Sequence, residues 1–153
     1  MGNRGKDFEK EFRWSARMCG IWVHRLYDQI PQPGDYFLVK EGTACLCELK
    51  STHKNRFPLS EVRPNQYYGL LVHSRDGGGL SYIVIRFYEK KGVPGASTAL
   101  YGLSVEEYDK LLAAEVKSLS RAELDSNPNV IALQKTLTDT KRHWDLRPLW
   151  NKN

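Results

Sequence analysis

Two strand-like runs joined by a glycine turn, DYFLVK, EGT and ACLCELKST in residues 35–52, constrain this chain more than any other feature. Alternating β-branched, aromatic and small apolar residues on both sides of a Gly-containing turn read as a β-hairpin. The turn fixes the register, and side chains alternate across each strand. Ala44, Leu46, Glu48 and Lys50 therefore share one face of the second strand, and Cys45, Cys47 and Leu49 share the other. The apolar members mark a strand that packs into a core. The charged members need another explanation, because Asp35 opens the first strand at the end of the hairpin where Glu48 lies. Paired strands would bring the two Cα atoms within ~5 Å. Lys50 would project beside Glu48, roughly 7 Å further along the strand.

Around this hairpin the chain alternates helical and strand patterns. Phe8, Phe12, Ser15, Cys19 and Trp22 form a helical stripe, which predicts a helix from residue 6 to about 26 that Gly20 weakens near its end. The prolines of IPQPGD then stop it. HKNRFPLSEVRP reads as a polar, basic loop, and NQYYGLLVHSR as a short helix capped by Asn65 or begun after Pro64. LSYIVIRFYEK is the strongest strand signal, and KGVPGAS a loop. SVEEYDKLLAAEVKSL predicts a helix opened by a Ser104–Glu107 capping box. Residues 125–153 carry little pattern beyond a turn of helix expected at 130–137. The order predicts an α/β fold, a mixed central β-sheet of three to five strands flanked by helices.

A length of 153 residues suits one domain, 1–153, with residues 125–153 as a C-terminal extension. No apolar run approaches the ~18 residues of a membrane span, and the charged start MGNRGKDFEKEF lacks a secretory core. These features predict a soluble, cytoplasmic protein with no membrane partner. Cys19, Cys45 and Cys47 make an odd count, which argues against a disulfide framework. Cys45 and Cys47 point to one face, but no second Cys or His pair stands at zinc-ligand spacing, so they read as buried thiols. The net charge of +5, more than half of it from residues 1–75, suits a polyanionic partner.

Two converging carboxylates are costly unless something positive joins them. A divalent cation with oxygen ligands does so. It can polarise a phosphodiester and lower the pKa of a bound water. Lys50 could then orient that water or stabilise charge growing on phosphorus. From these three residues alone, a second reading stays open: Glu48 and Lys50 leave a strand end into solvent, and Asp35 caps a turn.

The order PGD, twelve residues, then ELK resembles the PD-(D/E)xK nuclease superfamily. NRGKDFE at 3–9 is similar to the N-terminal RG…E signature of Holliday-junction resolvases of the archaeal and RecU types. FPL at 57–59, with Gln66 seven residues beyond Leu59, is similar to the RecU pattern after its E-x-K strand. The resemblance covers residues 3 to about 72 and implies a restriction-endonuclease-like core. It implies Asp35 and Glu48 as metal ligands, helped by the carbonyl of Leu49, and Lys50 as the catalytic lysine. Glu9 would complete the acidic site as a further metal residue or position its second metal and water, and Gln66 would hydrogen-bond within the site, holding Lys50 or a water. The implied cofactor is Mg²⁺, with Mn²⁺ as a substitute. The implied partners are branched DNA, a four-way junction, and a second copy of the chain in a homodimer. One departure stands out: no Ser or Thr lies between Gly20 and Gly34, where archaeal members often carry an auxiliary serine.

Arg4, Lys6, Lys54, Arg56 and Arg63 flank this site in sequence and could hold phosphates, or simply form a solvated basic surface. His53 reads as exposed or as a phosphate or metal contact. Tyr67 and Tyr68 read as core or as stacking rings. Trp144 and Trp150 could close the core, clamp DNA or meet a partner subunit. Two other functions compete: a repair or restriction-type nuclease of the same superfamily that cuts linear duplex, and a non-catalytic binding module on the same scaffold.

Overall fold

The computed structural model describes residues 3–26, 34–89, 97–138 and 141–151, and for 3–6, 97–98, 137–138 and 141–142 the backbone only. Helix α1 (Asn3–Met18) comes first. Its stripe buries Phe8, Phe12 and Ala16, and truncating either phenylalanine to alanine should cost about 3–5 kcal/mol. The helix stops eight residues earlier than its periodicity predicts. Gly20 adopts φ +70°, its N–H donates to Arg17 O at 3.0 Å, and the Ile21 N–H reaches back to Ala16 O at 2.9 Å. That is a Schellman cap, which needs a left-handed residue and finds it in glycine. The freed residues become strand β1 (Trp22–Arg25), which pairs antiparallel with β2 (Tyr36–Lys40).

Glu41 and Gly42 both have positive φ and link β2 to β3 (Thr43–Thr52) with Lys40 opposite Thr43. Two positive-φ residues make a type I′ turn, whose twist suits a hairpin. Next come β4 (Arg56–Pro58), a 3₁₀ turn (Leu59–Glu61), α2 (Pro64–Arg75) and β5 (Leu80–Tyr88). Strand β5 is buried from Leu80 to Phe87 and runs parallel to β3, with α2 as part of the crossover. A strand buried on both faces is the setting in which a continuous apolar run belongs. β6 (Ser97–Ser104), which no sequence signal announced, pairs antiparallel with β5. α3 (Val105–Ala113), β7 (Ser118–Ser120), α4 (Arg121–Ser126), β8 (Val130–Leu133), β9 (Lys135–Thr138), β10 (Lys141–Trp144) and a 3₁₀ turn (Arg147–Trp150) follow.

The central sheet has six strands in the order β1-β2-β3-β5-β6-β8, one more than the upper expectation. It is a mixed sheet flanked by helices. The helical turn expected at 130–137 is instead β8 and most of β9. On one face, α1 and the C-terminal segment bury Phe8, Phe12, Tyr36, Cys45, Cys47, Trp144, Leu146 and Leu149. On the other, α2 and α3 cover Leu46, Ile83, Ile85, Leu70 and Tyr108. Ser104 caps α3 by accepting the Glu107 N–H, but the Glu107 carboxylate turns to Asn127 and Asn129 and leaves the box half made. Trp144 is buried and Trp150 donates its ring N–H to Thr43 O, so both rings close the fold. The three cysteines are free thiols, and no described helix is long and apolar enough to cross a membrane. KGVPGAS lies almost entirely outside the described residues.

Candidate active site

The I′ turn sets the register of the hairpin. With Tyr36 paired to Cys47, the preceding Asp35 falls opposite Glu48 on the sheet face that α2 covers. The Asp35 N–H donates to Cys47 O at 2.9 Å, which keeps the strand entry pinned to β3. Gly34 permits that approach. A Cβ there would sit 2.9 Å from Leu46 Cδ1 and 3.1 Å from Cys47 O, so a larger residue would push the acid away from its partner. The Gly in PGD is therefore a packing requirement of this hairpin.

The two carboxyl groups stand on the same sheet face, opposite each other across the strand pair. Glu48 is 3% exposed, and burial together with the neighbouring Asp35 pushes its pKa up to about 8. Burial raises Asp35 too, while the Leu49 N–H, donating to Asp35 Oδ2 at 2.8 Å, pulls it back. Lys50 projects on the same face and places Nζ 3.5 Å from Glu48 Oε2. That oxygen also accepts from Gln66 Nε2 at 2.9 Å. Gln66 stands at the third position of α2, after Pro64, and its Oε1 accepts the Arg63 N–H at 2.9 Å. Both ends of the amide are thus held, which fixes the donor on Glu48. The sequence reading had Gln66 holding Lys50 or a water; in the structure it holds Glu48.

Glu9 sits on α1, on the opposite face of the sheet, yet close enough to raise the pKa of Asp35. Its Oε1 accepts from Arg25 Nε at 2.7 Å and from the Tyr36 hydroxyl at 3.1 Å. Burial and the Glu9 charge push the Tyr36 phenol up to about 12, so it stays a donor at neutral pH. Glu9 therefore neighbours the acid pair without joining it. Sequence reading missed Arg25, which it had placed in a helix, and Tyr36, which follows Asp35 and points to the other face. It also missed Arg86, buried between the rings of Phe8 and Tyr88 and donating to Ser51 Oγ at 3.3 Å. The only sequence signal for it was one arginine inside an apolar strand.

Of the basic residues, Lys54 and Arg63 are exposed. Arg56 is bound to Ser118 Oγ at 2.7 Å and to Glu123 Oε1 at 2.6 Å, a link between β4 and the β7–α4 segment. Arg4 and Lys6 lie outside the residues whose side chains are described. His53 is exposed and leans on the Tyr88 ring. Tyr67 hydrogen-bonds Asp109 and packs on Tyr108, while Tyr68 is 67% exposed.

Asp35, Glu48 and the backbone around Leu49 offer hard oxygen donors, and burial, more than any other cause, raises the proton affinity of both acids. That donor set fits a Mg²⁺-like cation, which keeps several of its waters. Among the described residues, no three His, Cys, Asp or Glu side chains gather closely enough to form a complete cage.

No protein-family model matches the sequence, and no curated protein matches it. Among solved structures, the chain is similar to Hjc, a Holliday junction resolvase from the archaeal hyperthermophile Archaeoglobus fulgidus. The likeness spans 67% of this chain and 74% of that one, with 17% identity and a TM-score of 0.51, and it is the fold that the two share.

Proposed function

We propose that this chain is a Mg²⁺-dependent endonuclease of the PD-(D/E)xK superfamily that resolves four-way DNA junctions. The observation that carries this reading is the pairing of half-buried Asp35 with buried Glu48, with Lys50 and Gln66 on Glu48, within a fold shared with a junction resolvase. A binding module has no use for a buried acid set against a second one that raises its pKa. The +5 charge suits a DNA partner.

Asp35, Glu48 and the Leu49 carbonyl would hold the cation, and Mn²⁺ would substitute for Mg²⁺. When bound, the cation supplies Lewis-acid activation of the phosphodiester and of water. Lys50 orients the attacking water or stabilises charge on the phosphoryl oxygens. Gln66 fixes Glu48 in its rotamer. Glu9, steered by Arg25 and Tyr36, sets the potential at Asp35 and positions water on that side. Arg4, Lys6, Lys54 and Arg63 would contact phosphates, and Arg56 would do so only by leaving Glu123. A four-way junction has two-fold symmetry, so a C2 homodimer would present two equivalent sites for paired nicks.

The test is a gel assay with a synthetic four-way junction, with and without Mg²⁺, using wild type and Glu48→Gln. Paired, Mg²⁺-dependent nicks from wild type alone support the reading. Equal cutting of linear duplex would replace it with a repair or restriction-type nuclease, and binding without any cutting would leave a non-catalytic module.

A further inference from the structure

Trp22 and His24 carry a second feature of the same sheet face. Their rings lie 5.7 Å apart and 11° from parallel, both side chains are exposed, and Trp22 is 58% accessible. They alternate with Val23, which packs into the α1 core, so the ring pair belongs to the face that bears Asp35 and Glu48. The Leu26 N–H donates to Asp35 O, which puts residue 26 beside the acid pair. At ~3.3 Å per residue, His24 then lies about 7 Å and Trp22 about 13 Å further along the edge strand. His73, in the last turn of α2, meets Phe37 edge to face beside this strand, and Trp22 and His24 stay exposed.

We infer that Trp22, backed by His24, is a stacking platform for an unpaired base of the DNA, within about four nucleotides of the bond that is cut. This rests on the nuclease reading above. Three observations favour a base over another protein surface. The ring pair presents a flat indole face already stacked on one side, which is the shape a nucleobase extends. It continues the surface of the acid pair instead of lying on a remote one. It is also small: among the described residues, the large exposed apolar side chains Met18, Trp22, Tyr68 and Leu112 stand on four different elements. A stable dimer contact needs about 800 Å² from each partner, more than one indole and one imidazole supply.

The experiment measures DNA affinity in Ca²⁺ for wild type, Trp22→Ala and Trp22→Phe, using a four-way junction, a gapped duplex and a fully paired duplex of equal length. Base–aromatic stacking predicts that Trp22→Ala loses about tenfold more affinity for the gapped duplex than for the paired duplex, and that Trp22→Phe recovers most of it. Tryptophan emission should be quenched by gapped DNA in wild type, and most of that quenching should vanish in Trp22→Phe. Equal losses on all three DNAs, or undiminished quenching in Trp22→Phe, would overturn the platform. So would a change of oligomeric state in Trp22→Ala with unchanged affinity per subunit, which would make β1 a contact between copies. If wild type cuts junctions and the Trp22 variants behave like it, only this inference falls. If wild type binds no DNA, the nuclease reading falls and takes the platform with it.

Discussion

Two buried glutamates stand on this sheet and its covering helix, and they are treated in opposite ways. Glu107, 9% exposed, accepts from the side-chain amides of Asn127 and Asn129 at 3.0 and 3.2 Å, one on each oxygen. Neutral donors meet its charge, and it ties α3 to the segment before β8. Glu48, 3% exposed, has one amide donor and a lysine, but it also faces a second carboxyl. A fold seeking stability alone would not put Asp35 there, since like charges in a dry site cost free energy. The difference separates a carboxylate that holds the structure from one set against a second acid.

Substituting the two residues by glutamine sharpens that contrast most. Glu48→Gln should lower Mg²⁺-dependent junction cleavage by about a thousandfold or more, and at pH 8 without metal it should melt at a higher temperature than wild type, because the repulsion from Asp35 is gone. Glu107→Gln should do the reverse: it turns an amide on the asparagine donors, costs about 1–3 kcal/mol of stability and leaves the rate per folded molecule alone. Cleavage assays and thermal melts on the two variants read both effects, and a Glu48 variant that cuts at the wild-type rate would erase the distinction.

Proton linkage gives the next largest effect. Glu48 titrates near 8 when folded, against 4.5 when unfolded, so between those values the folded state holds the extra proton. Stability of the metal-free protein must then fall as pH rises from about 4.5 to 8, by at most ~1.4 kcal/mol per pH unit. Mg²⁺ competes with that proton, so its stabilising shift of the melting temperature should be larger at pH 8 than at pH 6. Melts in EDTA and in Mg²⁺ at both pH values check this, and Glu48→Gln should flatten the trend.

How far the site could be read from sequence follows from the reach of each contact. Asp35 beside Glu48 was legible because one short turn dictates the register between them. The fold class was legible from the hairpin, the buried β5 run and the Ser104 cap. Strand β1 was not. Trp22 follows Cys19 at helical spacing, so the stripe runs on past Gly20, and only the left-handed cap at that glycine ends it. That error hid Arg25, and with it the grip on Glu9 across 16 residues of chain. Gln66 came from the resemblance, but its partner did not, because nothing local tells an amide which of two charged neighbours a helix will bring near. β6 (STALYGLS) mixes small, polar and apolar residues and β8 (VIAL) is only four residues long, so the strand character of both comes from pairing with residues far along the chain.

Gln66 tests whether the chemistry of Glu48 depends on being held still. Gln66→Ala removes the amide donor from Oε2 and should slow cleavage by about 10–100-fold, the usual cost of losing a group that orients a ligand. Gln66→Glu should be worse at high pH, since it adds a third acid. An apparent Mg²⁺ affinity that weakens alongside the rate would mark the loss as one of ligand positioning.

The same division between met and unmet charge runs through the basic residues, where the effects should be smallest. Arg56 spends its guanidinium on Ser118 and Glu123, with half of its side chain exposed. Lys54 is exposed, and its ammonium meets no partner among the described residues. A phosphate contact adds about 0.9 to the slope of log affinity against log salt. Lys54→Ala should therefore lower that slope by about one, with a several-fold loss of junction affinity at low salt. Arg56→Ala should leave the slope unchanged and cost less than ~1 kcal/mol of stability, as exposed ion pairs do. If the two variants exchanged these signatures, Arg56 would have to release Glu123 to reach DNA, and the link between β4 and α4 would be a contact broken on binding.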